Sequence, residues 1–172
     1  MTDLPTHDAD YVIDTNVWVF ATKDLSQVRD LKELDCLEAA AGWIALFMRS
    51  TARLIVDECY AILGEYRRNA NRQINVWLNA LERQPRTRLL EVTIAWEESG
   101  GERIARLPLE FERIDRSDRK FLAVLLKHRE SGAQAQLINA SDTDWSTATA
   151  LHPSLDALIV ELCPEYIQAR RA

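Results

Sequence analysis

Three short apolar runs, each closed by a small polar or acidic residue, constrain this chain more than any other feature. Val12-Ile13 stops at Asp14, and Arg53-Leu54-Ile55-Val56 stops at Asp57. Gln136-Leu137-Ile138-Asn139 is followed at once by Ala140-Ser141-Asp142-Thr143-Asp144-Trp145. Brief apolar runs without alternation read as strands buried on both faces. Between them the apolar period changes to threes and fours. Leu31, Leu34, Leu37, Ala41, Ile44 and Met48 mark a helix over 28–48, with Trp43 packed in its face. Cys59, Ile62, Leu63 and Tyr66 mark a second helix starting near Asp57. Ile74, Trp77, Leu78 and Leu81 mark a third over 71–82. Phe121, Leu122, Leu125 and Leu126 mark a fourth, capped by Asp115 or Ser117 and ended by Gly132. Strands alternating with helices predict an α/β fold: a central, mainly parallel sheet with helices on both faces. Residues 86–92 read as an extended connector. Residues 93–106 read as a short helix and a loop broken by Gly100-Gly101, and 155–160 as a final strand. Residues 1–10 are expected to be a flexible lead-in, 11–165 one domain, and 166–172 a tail.

The length of 172 residues suits one domain with a real core. A net charge of −6 argues against a general nucleic-acid coat protein but not against a nuclease, because acids gathered at a metal site lower the total. No apolar run approaches the roughly 20 residues of a membrane helix, and the polar amino terminus lacks the pattern of a secretory signal. Cys36, Cys59 and Cys163 are odd in number and widely spaced. They are expected to be reduced, partly buried thiols of a cytoplasmic protein.

The acids carry the chemistry. A carboxylate at the carboxyl end of a parallel strand opens onto the crevice where α/β proteins bind ligands. Asp14 has that place, with Thr15 and Asn16 forming a turn or helix start behind it. Asp142 and Asp144 repeat the arrangement after the third run. Glu58 and Glu65 lie seven apart, on one side of the helix that follows the second run. Asp118 falls in the first turn of the fourth helix. Singly, each has an ordinary structural role: a cap for Asp14, the helix dipole for Asp118, a turn for Asp142. Gathered on one edge they repel one another unless a cation balances them. Oxygen-only ligands point to Mg2+ or Mn2+, and such a site suits phosphodiester hydrolysis with Glu65 or Asp144 orienting the attacking water. His7, His128 and His152 are far in sequence from these acids and are given no catalytic role.

Val12-Ile13-Asp14-Thr15-Asn16-Val17, Ile114-Asp115-Arg116-Ser117-Asp118-Arg119-Lys120-Phe121-Leu122-Ala123 and Leu137-Ile138-Asn139-Ala140-Ser141-Asp142-Thr143-Asp144-Trp145 come in the order and spacing of a PIN domain. From Tyr11 to Cys163 the chain resembles that family of metal-dependent ribonucleases. The resemblance implies a three-layer α/β/α sandwich, Mg2+ or Mn2+, and endonucleolytic cleavage of single-stranded RNA. Many members are toxins with an antitoxin protein as partner, although 71–106 make this chain longer than a compact toxin. Carried over residue by residue, the metal ligands are Asp14, Glu65, Asp118 and Asp142, with Asp144 as a supporting catalytic acid. Glu58 is the reserve for Glu65, and Asp115, read as a cap, is kept as a reserve metal ligand or supporting acid. Thr15 and Asn16 form the structural turn. Arg116, Arg119 and Lys120 flank the site as phosphate-binding residues. The apolar helical faces permit a homodimer, and no membrane partner is expected. The alternative is a PIN-fold module that binds RNA or protein with little or no nuclease activity. A phosphatase of the haloacid-dehalogenase type would need an aspartate where Asn16 stands.

Overall fold

The computed structural model describes residue 5 and residues 9–171. Most of the expected lead-in, 1–4 and 6–8, lies outside the described residues, as does His7. Asp10 already belongs to the first strand.

In chain order, β1 (Asp10–Ile13) leads into α1 (Thr15–Ala21) and the long α2 (Leu31–Arg49). Next come β2 (Arg53–Asp57), α3 (Ala61–Arg68), α4 (Arg72–Glu82), the single turn α5 (Pro85–Arg88) and β3 (Leu89–Val92). A hairpin follows, β4 (Trp96–Ser99) and β5 (Glu102–Ala105). The chain ends with α6 (Arg119–Arg129), β6 (Ala135–Asn139), α7 (Thr143–Leu151), β7 (Ile159–Glu161) and α8 (Pro164–Arg171).

The central sheet has five strands in the order β3-β2-β1-β6-β7, all parallel. Helices flank it as a three-layer α/β/α sandwich, as the alternation of periods predicts. Val12, Ile13, Leu54, Ile55, Val56 and Leu137 are each fully buried, because both faces of the central strands are covered. Tyr11 meets Trp43 and Phe47 of α2 edge-on at 5.2 and 6.3 Å, and Trp43 stacks on Phe47. Tyr66 of α3 stacks against Phe121 of α6. The order reverses at β1: the chain builds outward through β2 and β3, then returns to place β6 on the other side of β1. The crevice at the carboxyl ends of β1 and β6 is therefore the switch point where such sheets bind ligands.

Four expectations are corrected. The connector at 86–92 supplies the edge strand β3, paired in register with β2 from Leu54–Leu89 to Asp57–Val92. The segment 93–106 is a β-hairpin and not a helix and loop. Gly100 and Gly101, with φ of 64° and 83°, make the tight turn that only glycine adopts freely. The tail at 166–172 is helical through Arg171: Tyr166 and Ile167 are buried, and Arg170 donates to the Ser141 carbonyl at 3.3 Å. Cys36 and Cys163 form a disulfide across 127 residues of sequence, with only Cys59 free and exposed. Packing α8 on α2 brings the two sulfurs together, and residue spacing carries no trace of that. No described helix is long and apolar enough to cross a membrane.

Candidate metal centre

Each acid at the switch point is placed by a different element. Asp14 follows β1 directly, and its backbone N–H still pairs with the Ile138 carbonyl of β6 at 2.9 Å. Its carboxylate caps α1, accepting from the Asn16 N–H at 3.0 Å, and accepts from the Trp145 indole N–H at 2.5 Å. Asp142 caps α7, accepting from the Asp144 N–H at 2.8 Å. Asp118 sits at the start of α6 but its side chain caps no backbone N–H; among the described residues the hydrogen bond its carboxylate accepts comes from the Ser117 hydroxyl at 3.4 Å. The structural roles expected for Asp14 and Asp142 are thus real and coexist with a further one. One carboxylate oxygen from each of Asp14, Asp118 and Asp142 lies within 4.8 Å of the other two.

Three carboxylates so close are poorly tolerated. Burial, opposed by the Trp145 and Asn16 hydrogen bonds, lifts Asp14 to a pKa of about 6, and Asp142 and Glu65 push the same way. Burial and then the charges of Asp14, Asp142 and Asp115 lift Asp118 to about 8, with Lys120 pulling back. Asp144 is raised too, by partial burial and by Asp142. A divalent cation bound among them would offset this penalty by supplying positive charge. Three converging oxygen donors without thiolate or imidazole fit Mg2+ or Mn2+.

Glu65 adjoins the cluster without joining it. It accepts from the Thr15 hydroxyl at 2.5 Å and pairs with the Lys120 ammonium at 2.6 Å. Lys120 also donates to the Ser117 carbonyl. Glu58 instead accepts from the Ile94 N–H at 3.2 Å, which fastens the approach to the hairpin. Asp115 accepts from both the N–H and the hydroxyl of Ser117, which hold it below the usual carboxylate range. Of the three expected phosphate-binding cations, Lys120 is tied to Glu65. Arg119 donates to the Ile114 and Glu112 carbonyls and lies 3.7 Å from Glu97. Arg116 alone is exposed and makes no such contact among the described residues.

Asn16 does more than turn the chain. Its Oδ1 accepts from the Ala140 and Ser141 N–H groups, and its Nδ2 donates to Asn139 Oδ1 at 3.1 Å. Asn139, fully buried, grips Asp142 through both its N–H and its carbonyl. This amide pair sews the loop after β6 to the turn after β1, so Asp142 is held opposite Asp14. Sequence reading overlooked Asn139 and the role of Trp145, although both sit inside the third motif. It also set aside His152, which lines a cavity of about 230 Å3 together with Asp118, Asp144 and Arg113. The His152 ring packs edge-on against Phe111 at 4.9 Å. His128 has a structural place beside Asp10 at 2.7 Å.

Comparison of the chain with family models, with curated proteins and with solved structures finds no match.

Proposed function

We propose that the chain is a Mg2+- or Mn2+-dependent endoribonuclease of PIN type that hydrolyses phosphodiester bonds of single-stranded RNA. One observation carries the reading: three carboxylates from three separate elements converge within 4.8 Å of one another at the switch point of a parallel sheet, and burial with their mutual repulsion raises the Asp118 pKa despite the nearby Lys120. Asp14, Asp118 and Asp142 would hold the ion, with Glu65 behind them. When bound, such an ion lowers the pKa of water, holds the phosphate and stabilises the leaving oxygen. The chain supplies the rest. Trp145 and the Asn16 N–H fix the Asp14 carboxylate, and the Asn16–Asn139 pair fixes Asp142. Asp144, exposed at the cavity mouth with a raised pKa, can accept the proton of an attacking water.

RNA as substrate, an antitoxin as partner and a homodimer belong to the same proposal. A cytoplasmic location does as well, although the Cys36–Cys163 bond weighs against a reducing compartment. One feature favours the alternative of a binding module: Lys120 already neutralises Glu65, the second acid of the expected set. The deciding test is cleavage of a mixed single-stranded RNA pool with Mn2+ or Mg2+, comparing wild type with Asp14→Asn and Asp118→Asn. Cleavage abolished by EDTA and by both substitutions supports the nuclease. Metal binding or RNA binding without cleavage supports the module.

A further inference from the structure

We propose that the cleft between the β4–β5 hairpin and α3 is the track that holds the RNA strand beside the acids, with the hairpin as its outer wall. The inference rests on the RNA reading above and assigns a surface to it. The cleft has a volume of about 420 Å3, and its floor carries Glu65, Ser117 and Lys120, so it opens directly beside the metal centre. Arg68 of α3, Arg103 of β5 and Arg116 line it from three sides. All three are exposed, and none is ion-paired to a carboxylate among the described residues. Two carboxylates share the lining: Glu65, which Lys120 neutralises, and Glu102. Cations therefore outnumber acids here on a chain whose net charge is −6. A cationic cleft is the feature a phosphate backbone seeks.

The hairpin adds a stacking platform. Trp96 lies half-buried along the cleft, and the Arg103 guanidinium covers its ring at 4.6 Å from the centroid. Among the described residues Arg103 has one other polar contact, to Cys59 Sγ at 3.3 Å, which leaves most of its fork free. A guanidinium plane laid on an indole offers its outer face to a nucleobase and its edge to phosphate. Bases can reach such a platform only when unpaired, so the track favours a single strand over a duplex. Asp118 also lines the cavity that holds Arg113 and His152.

The test is binding without turnover. A fluorescein-labelled mixed-sequence 12-nucleotide RNA is titrated in EDTA and followed by anisotropy. The groove variant Arg68→Gln/Arg103→Gln/Arg116→Gln is compared with Arg72→Gln/Arg83→Gln/Arg86→Gln, which removes equal charge from α4 and the turn after it. The groove variant should bind about tenfold or more weakly, with a salt dependence shallower by about 2 in log–log slope, while the control changes less than about twofold. Matching melting temperatures show that both variants are folded. The inference is overturned if wild type does not bind the strand, if the two triple variants weaken equally, or if the duplex of the same sequence binds as well. Its fate is separable from that of the nuclease reading. Binding through the cleft without Mn2+-dependent cleavage sinks the enzyme and keeps the track; cleavage unchanged in the groove variant does the reverse.

Discussion

Asp118→Asn separates a poised metal ligand from a helix cap. The Asp118 side chain is nine-tenths buried, caps no backbone N–H, and faces Asp14, Asp142 and Asp115. Its pKa stands at about 8 against 3.8 for the free side chain. At about 1.36 kcal/mol per pH unit, keeping it ionised in the metal-free fold costs at most about 6 kcal/mol. The sign follows from proton counting. Between pH 3.8 and about 8 the folded chain retains a proton that the unfolded chain has lost, so metal-free stability falls as pH rises and the penalty is full above about 8. Water and monovalent ions entering the open cleft reduce the penalty, so the amide is expected to stabilise the metal-free protein by about 2–3 kcal/mol at pH 8. For a chain of this length that is a rise in Tm of roughly 5–10 °C. The gap should close near pH 4, where the side chain is protonated in the fold. The assay is thermal unfolding in EDTA at several pH values, repeated with Mn2+. Wild type should gain stability from Mn2+, more so at higher pH, and the variant should gain little. A lower Tm for Asp118→Asn at pH 8 in EDTA, or a difference indifferent to pH, refutes the reasoning. A cap exchanged for asparagine changes stability by only about a few tenths of a kcal/mol.

Trp145→Phe removes the donor that lowers the Asp14 pKa, so Asp14 should titrate above about 6. Calorimetric titration should show Mn2+ affinity falling more at pH 6 than at pH 8; an equal loss at both counts against the indole's electrostatic role. Asn16→Ala strands the Ala140 and Ser141 N–H groups and frees Asn139. Chemical denaturation should register a loss of about 2–4 kcal/mol, and a change below about 0.5 kcal/mol would show that the amide pair does not brace the site. Thiol titration of the denatured, unreduced protein should count one free cysteine, Cys59. Replacing Cys36 and Cys163 together by serine should cost about 3–5 kcal/mol, since the bond closes a loop of more than a hundred residues.

The helix over 31–49 and the strands β1, β2 and β6 were legible because burial imposes a period on neighbouring residues. Asp14 and Asp142 were legible for a related reason: the apolar run ends where the chain leaves the core, and polar chemistry collects there; Asp118 was legible because it opens the apolar period of α6. Glu65 lay on the expected helix face, but nothing local announces that Lys120, 55 positions later, would take its charge. The Gly100-Gly101 pair carries a hairpin signal that its neighbours mask, since the flanking Trp96–Ser99 and Glu102–Ala105 are mostly polar and alternate weakly.

By itself, then, the sequence determined the parallel α/β architecture and the placing of the three acids after two strands and before a helix, because the apolar periods that mark those boundaries act between residues a few positions apart. Tertiary structure alone decided the Cys36–Cys163 bond, the docking of α8, the Asn16–Asn139 clasp, the Trp145 bond to Asp14 and the arrival of His152 beside the acids. Each joins residues that become neighbours only once the sheet order is set, and contact energy between distant positions leaves no period in the chain to read.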